Sequence, residues 1–157
     1  MFDEVIQRLS RVTGTAPFPP HITLLGSVTA GSTFNDAVAQ VADSTEPVPV
    51  QLTQVEHSDQ VFRCVTLSAA PGHQLSEARS ALLNACGGDD VVPYEPHLSV
   101  LYGALPANER QQLAHSVDLA LPVSITVDAL HVVDVSHDDW GRWAVVAQWP
   151  LKGGRAS

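Results

Sequence analysis

Apolar residues recur along this 157-residue chain in two rhythms, one that suits helices and one that suits strands. Phe2, Val5, Ile6 and Leu9 stand at helical spacing and predict a helix over 3–12. The Pro17-Phe18-Pro19-Pro20 stretch ends that helix and imposes extended backbone, so residues 21–28 read as a strand. Phe34, Val38, Val41 and Ala42 predict a second helix over 34–43, with Ser32 or Thr33 as its cap. Val48, Val50 and Leu52 alternate in a strand from 48 to 55, and a second strand runs from Val61 to Leu67. The His57-Ser58-Asp59 stretch between them predicts a hairpin. Leu75, Ala78, Leu82, Leu83 and Cys86 predict a helix over 74–86 that stops at Gly87-Gly88. Pro93 to Pro96 leads into another strand, Pro106 starts a helix to about residue 118, and strands near 123–135 and 142–149 close the chain.

The elements run α β α β β and then α β α β β again, an α+β pattern. The two halves align with a shift of 76 residues, His97 minus His21. A duplicated order of this kind predicts pseudo-twofold symmetry, with both equivalent strands brought to one central cleft. Those strands carry the same local pattern. The first reads Pro20-His21-Ile22-Thr23-Leu24-Leu25-Gly26, the second Pro96-His97-Leu98-Ser99-Val100-Leu101-Tyr102-Gly103. In a strand, residues i and i+2 face the same way, so His21 sits beside Thr23 and His97 beside Ser99.

Two imidazoles, each with a hydroxyl neighbour, suit acid–base chemistry on a phosphate ester. Opening a cyclic phosphodiester needs a base for the nucleophile and an acid for the leaving oxygen, on opposite sides of phosphorus. Histidine serves in either role because its ordinary pKa, about 6.5, lies near working pH. Hydroxyls placed beforehand around the phosphoryl oxygens stabilise the charge that develops there. The scheme calls for no metal and no cofactor. A lone histidine ahead of a strand is usually structural; two at matched positions of a repeated motif point instead to catalysis.

Charge narrows the ligand. The chain holds 8 Lys and Arg against 17 Asp and Glu, a net charge of −9. Gripping a long nucleic acid takes a basic patch, which this balance does not supply, so the expected partner is a small nucleotide-like phosphate. Cys64 and Cys86 lack metal-ligand and redox spacing and read as buried free thiols of a cytoplasmic protein. No apolar run approaches a membrane span and the start lacks a secretory pattern. His57, His73, His115, His131 and His137 have no ligand-like spacing and read as solvent-facing or hydrogen-bonded. Arg63 is read as an ion-pair or cleft residue, Trp140, Trp143 and Trp149 as packing, and Asp89-Asp90 as a solvated loop.

The paired His-x-Thr/Ser tetrapeptides resemble those of the two-histidine phosphoesterase superfamily. More narrowly, residues 61–69 and 93–103 are similar to the central strand and second motif of the plant and fungal cyclic phosphodiesterases. The resemblance runs from about residue 5 to residue 150. It implies one bilobal domain over 1–157, with two antiparallel sheets flanking a water-filled cleft and helices outside. It implies metal-free hydrolysis of nucleoside 2′,3′-cyclic phosphates or of ADP-ribose 1″,2″-cyclic phosphate. His21 and His97 would be the catalytic pair, Thr23 and Ser99 the phosphate ligands, and Tyr102 a pocket-lining residue. The family pattern makes His97 the base and His21 the acid, and the near-symmetry permits the reverse.

The family begins with a strand before its first helix, whereas this sequence opens on the helix. An uncovered sheet edge invites pairing, so a monomer or weak dimer is expected. Two other functions compete with the leading one. An RNA-end-processing phosphodiesterase or ligase of the same superfamily is opposed by the acidic balance. A binding module without turnover is opposed by the intact histidines and hydroxyls.

Overall fold

Val5, Ile6 and Leu9 form the buried stripe of the first helix, α1 (Phe2–Thr13), in the computed structural model of the protein. The structure describes residues 1–153 other than 27, 29, 30, 32, 71 and 87–92. The alternative cap Ser32, the expected stop at Gly87-Gly88 and the expected loop at Asp89-Asp90 lie outside the described residues. α1 ends at Gly14, whose φ of 69° lets its N–H reach the Ser10 carbonyl. After it come α2 (Phe34–Ser44), β1 (Val48–His57), β2 (Val65–Ala69), α3 (His73–Cys86), β3 (His97–Leu101) and α4 (Ala107–His115). The chain closes with β4 (Val123–Val127), β5 (Ala129–Asp134) and β6 (Ala144–Pro150). The α+β expectation therefore holds, with one four-stranded sheet in the order β3-β2-β1-β4 and one two-stranded sheet of β5 and β6.

The chain divides into two compact units, each drawn from three separate stretches rather than from one sequence half. The first comprises residues 1–23, 51–71 and 95–124. In it α1 packs on β3 and α4 packs on β2. β2 runs antiparallel to both β1 and β3, and a register shift in each pairing sharpens the local twist. Leu9, Leu52, Leu67, Val100 and Leu101 are fully buried and make its core. The second unit comprises residues 24–50, 72–94 and 125–157. There α2 packs on α3 and on the antiparallel pair β5 and β6. No helix among the described residues is long and apolar enough to cross a membrane.

Three expectations need correction. Residues 21–28 are not a strand: Ile22 alone makes an isolated antiparallel bridge, to Leu98, and the chain bends at 24–25. Residues 61–63 form a 3-10 turn instead of opening β2. Their carbonyls are captured from outside the ladder: Val61 by the Gly103 N–H, Phe62 by the Ser99 hydroxyl and Arg63 by the Ser58 hydroxyl. The run 123–135 is two strands, not one, broken at Asp128, whose carbonyl accepts from the Leu151 N–H. The last turn of α4 ends at His115, and Ser116 closes it by donating from its hydroxyl to the Leu113 carbonyl.

Candidate active site

The Ile22–Leu98 bridge sets the register of the two motif segments. Antiparallel pairing at 22 and 98 puts residue 21 across from 99 and residue 23 across from 97. Each histidine thus faces the hydroxyl residue of the other motif. Because i and i+2 of extended backbone share a face, the four candidate positions lie on one side of the bridge, and Ile22 and Leu98 lie on the other. Leu98 is buried, which roots the pair in the core.

β2 continues the rows. Ser68 pairs with His97 and Thr66 with Ser99, so these two hydroxyl residues share the face of the site. Sequence reasoning passed over both. Their signal was present: Thr66 and Ser68 are the polar positions of an otherwise apolar strand, two residues apart.

Both rings are held in the same way. His21 Nδ1 lies 2.7 Å from the Pro19 carbonyl and His97 Nδ1 lies 2.8 Å from the Glu95 carbonyl, each two residues upstream. A carbonyl can only accept, so each Nδ1 carries a proton. The Pro-His pairing explains why: proline fixes an extended lead-in whose carbonyls stand beside the following ring.

The two environments then diverge. His21 and Thr23 are exposed, whereas His97 is half-buried and Ser99 buried. Burial pushes the His97 pKa below the ordinary imidazole range. The Glu95 carbonyl bond raises it, the nearby Arg63 guanidinium lowers it, the Glu95 carboxylate raises it and His21 lowers it. The net direction is down, so the surroundings favour the neutral form of His97. Arg63 reaches the exposed Glu95 carboxylate through both terminal nitrogens, at 3.1 Å each.

Tyr102 anchors the other side. Its ring stacks on Phe18 with centroids 3.8 Å apart and meets Phe62 edge-on at 5.3 Å. Its hydroxyl lies 3.2 Å from His21 Nε2 and is hydrogen-bonded with the Ser99 side chain. Burial pushes the phenol up to about 12, against a smaller lowering from Ser99. The Ser99 hydroxyl donates to the Phe62 carbonyl at 2.8 Å, so it must turn to reach a phosphate oxygen.

The residues leading out of one motif and into the other are tied by a cation the sequence did not single out. Arg79 of α3 donates to the Leu24 carbonyl at 2.7 Å and lies over the Tyr94 ring, 5.2 Å from its centre. Of the residues read as packing or solvent-facing, all five remaining histidines are exposed and the three tryptophans are half-buried. Cys64 is buried and Cys86 half-buried, and both are free.

Several solved structures share this fold. Thermus thermophilus TT0787 superposes with a TM-score of 0.64 at 15% identity, over 98% of this chain and 93% of that one. E. coli LigT complexed with 3′-AMP gives 0.58 at 15% identity, over 95% and 92%. LigT complexed with NADP+ gives 0.55 at 15% identity, over 96% and 90%. No curated protein sequence matches the chain. The sequence profile of the 2′-5′ RNA ligase superfamily matches residues 3–139, most of the chain, and the paired His-x-Thr/Ser segments lie within that span. The chain belongs to the 2′-5′ RNA ligase superfamily of two-histidine phosphoesterases.

Proposed function

We propose that the protein is a cyclic phosphodiesterase that opens ribose cyclic phosphates by two-histidine acid–base catalysis. The substrate would be a nucleoside 2′,3′-cyclic phosphate or ADP-ribose 1″,2″-cyclic phosphate, as in the plant and fungal branch that the motifs resemble. The observation that carries the reading is the antiparallel juxtaposition of the two motifs, each with its imidazole Nδ1 tied to a carbonyl. His97 Nε2 takes a proton from water as the water oxygen attacks phosphorus. His21 gives a proton to the ribose oxygen as its bond to phosphorus breaks. One proton enters the protein and one leaves, so a second exchange with solvent resets the pair. Thr23 stands on the face where the phosphoryl oxygens would lie, and Ser99 joins it by leaving the Phe62 carbonyl. That LigT is seen with 3′-AMP and with NADP+ fits a small nucleotide ligand.

No step of this cycle draws on a metal, and a free-thiol pair suits a cytoplasmic enzyme. A second reading, processing of RNA ends by hydrolysis or ligation, rests on the superfamily's description. The net charge of −9 weighs against a long polyanion. Product analysis on a panel of cyclic mononucleotides, ADP-ribose cyclic phosphate and oligonucleotides with cyclic phosphate ends decides the matter. Turnover of the small esters supports the proposal; turnover confined to the oligonucleotides overturns it.

A further inference from the structure

Arg63 is laid along the face that carries the second motif. Pro96 holds Glu95 extended, and the bond from the Ala69 N–H to the Pro96 carbonyl carries the ladder upstream of β3. Glu95, His97 and Ser99 alternate along that backbone and therefore share one face. The 3-10 turn at 61–63 meets this face at two points. The Phe62 carbonyl accepts from the Ser99 hydroxyl at 2.8 Å, and the Arg63 guanidinium donates to the Glu95 carboxylate. Between those contacts the Arg63 side chain passes His97, which feels its charge. The Arg63 carbonyl accepts from the Ser58 hydroxyl at 2.8 Å, which fixes the backbone from which the side chain swings.

The guanidinium and its partner are imperfectly matched. Arginine pairs best with an anion through two parallel N–H···O bonds to two different oxygens. Here both terminal nitrogens share a single oxygen, Glu95 Oε2, at 3.1 Å each. The Glu95 side chain is 67% exposed and that of Arg63 29%. An ion pair this open to water contributes little, because solvent screens it and ordering two side chains costs entropy. A phosphate offers the fork two oxygens at once, the geometry for which a guanidinium is suited.

We propose that Arg63 is an anion-binding residue of the active site, whose guanidinium exchanges the Glu95 carboxylate for the non-bridging oxygens of a bound phosphate ester. The inference rests on the proposed function for the identity of the anion. In the free protein Glu95 stands in for the phosphate and holds the guanidinium beside His97. Bound phosphate returns the carboxylate to water. Thr23 and Ser99 bring neutral donors, whereas Arg63 adds a full charge against the phosphoryl oxygens. The arrangement is one-sided. Setting His21 on His97 aligns Glu95 with Pro19, so the first motif has no carboxylate at the matching place.

Inorganic phosphate, titrated by calorimetry, tests this without any turnover. Arg63→Gln should weaken its binding roughly 10- to 100-fold, the weight of a hydrogen bond to a charged group. Arg63→Lys should restore only part, since an ammonium is a point charge without the fork. Glu95→Gln should tighten binding by removing the competitor. The double variant separates exchange from simple repulsion. If Glu95 competes for Arg63, its removal gains nothing once Arg63 is gone, so the double variant should bind like Arg63→Gln alone. A gain of equal size in both backgrounds overturns the exchange. Equal affinity in the wild type and Arg63→Gln, or no phosphate binding by the wild type, overturns the site itself. A wild type that shows the expected phosphate binding and opens no cyclic phosphate sinks the proposed function and leaves the anion site standing.

Discussion

Ile22 pairs with Leu98 in an antiparallel bridge, and through it His21 stands across from Ser99 and Thr23 from His97. The two histidines therefore belong to one constellation rather than to two independent motifs. His21→Ala and His97→Ala should each lower kcat on a cyclic nucleotide by about 10²- to 10⁴-fold. The double variant should fall little further, because one turnover of the proposed cycle needs both groups and their effects do not multiply. Steady-state kinetics checks this, and near-normal turnover in either single variant removes that residue from the mechanism.

The pH profile should carry the sign of the His97 environment. Its pKa is depressed, first by burial and then by Arg63, while Glu95 opposes. A base must be neutral, so the acid limb of kcat/KM should lie below about 6.5, the ordinary imidazole value. Arg63→Gln removes a lowering charge and should move that limb to higher pH. Glu95→Gln removes a raising charge and should move it to lower pH. The two variants should shift in opposite directions; a common direction would mean that the limb belongs to another group.

The site was more legible in the sequence than its surroundings were. Pro-His-x-Thr/Ser fixes local geometry through proline and the alternation of extended backbone, and both are local rules, so the grouping of the four candidate positions could be read from spacing. Strand status at 21–28 could not, because a single bridge at Ile22 suffices to align the motif and the apolar Leu24 and Leu25 then follow a bend. The 3-10 turn at 61–63 was hidden for a different reason. Three partners distant in sequence or outside the strand, Gly103, Ser99 and Ser58, take its carbonyls. Arg79 was unreadable for the same cause, since its acceptor at Leu24 is remote in sequence.

Chelation should leave the rate unchanged. In the proposed cycle two imidazoles supply both proton transfers, so activity on a cyclic nucleotide should persist after dialysis against EDTA. Loss of activity on chelation, restored by a divalent cation, would overturn the metal-free scheme.

Phe18 should matter to catalysis through Tyr102. It is buried and stacks on the phenol ring with an interplanar angle of 12°. Phe18→Ala removes a core aromatic and should cost about 3–5 kcal/mol in urea unfolding. Phe18→Leu keeps most of the volume and should cost less, yet it frees the Tyr102 ring. Its kcat should therefore drop further than its stability suggests, and wild-type turnover in a folded Phe18→Leu would show that the stack does not position the phenol.

Arg79 offers the complementary test, in which the motif's exit rather than its ring is loosened. The guanidinium donates to the Leu24 carbonyl, next to Thr23 in the first motif, and covers Tyr94, shortly before the second. Arg79→Met keeps a long apolar side chain but removes the donor, and a hydrogen bond from a charged group typically contributes about 1.5–3 kcal/mol. Urea unfolding should show a loss of that size. If the tie also fixes the backbone that carries Thr23, KM for the cyclic ester should rise while the acid limb set by His97 stays in place. Arg79→Lys keeps the charge without the planar fork and should recover only part of the stability. Full recovery would mean that charge alone, and not the geometry of the guanidinium at Leu24, holds this segment.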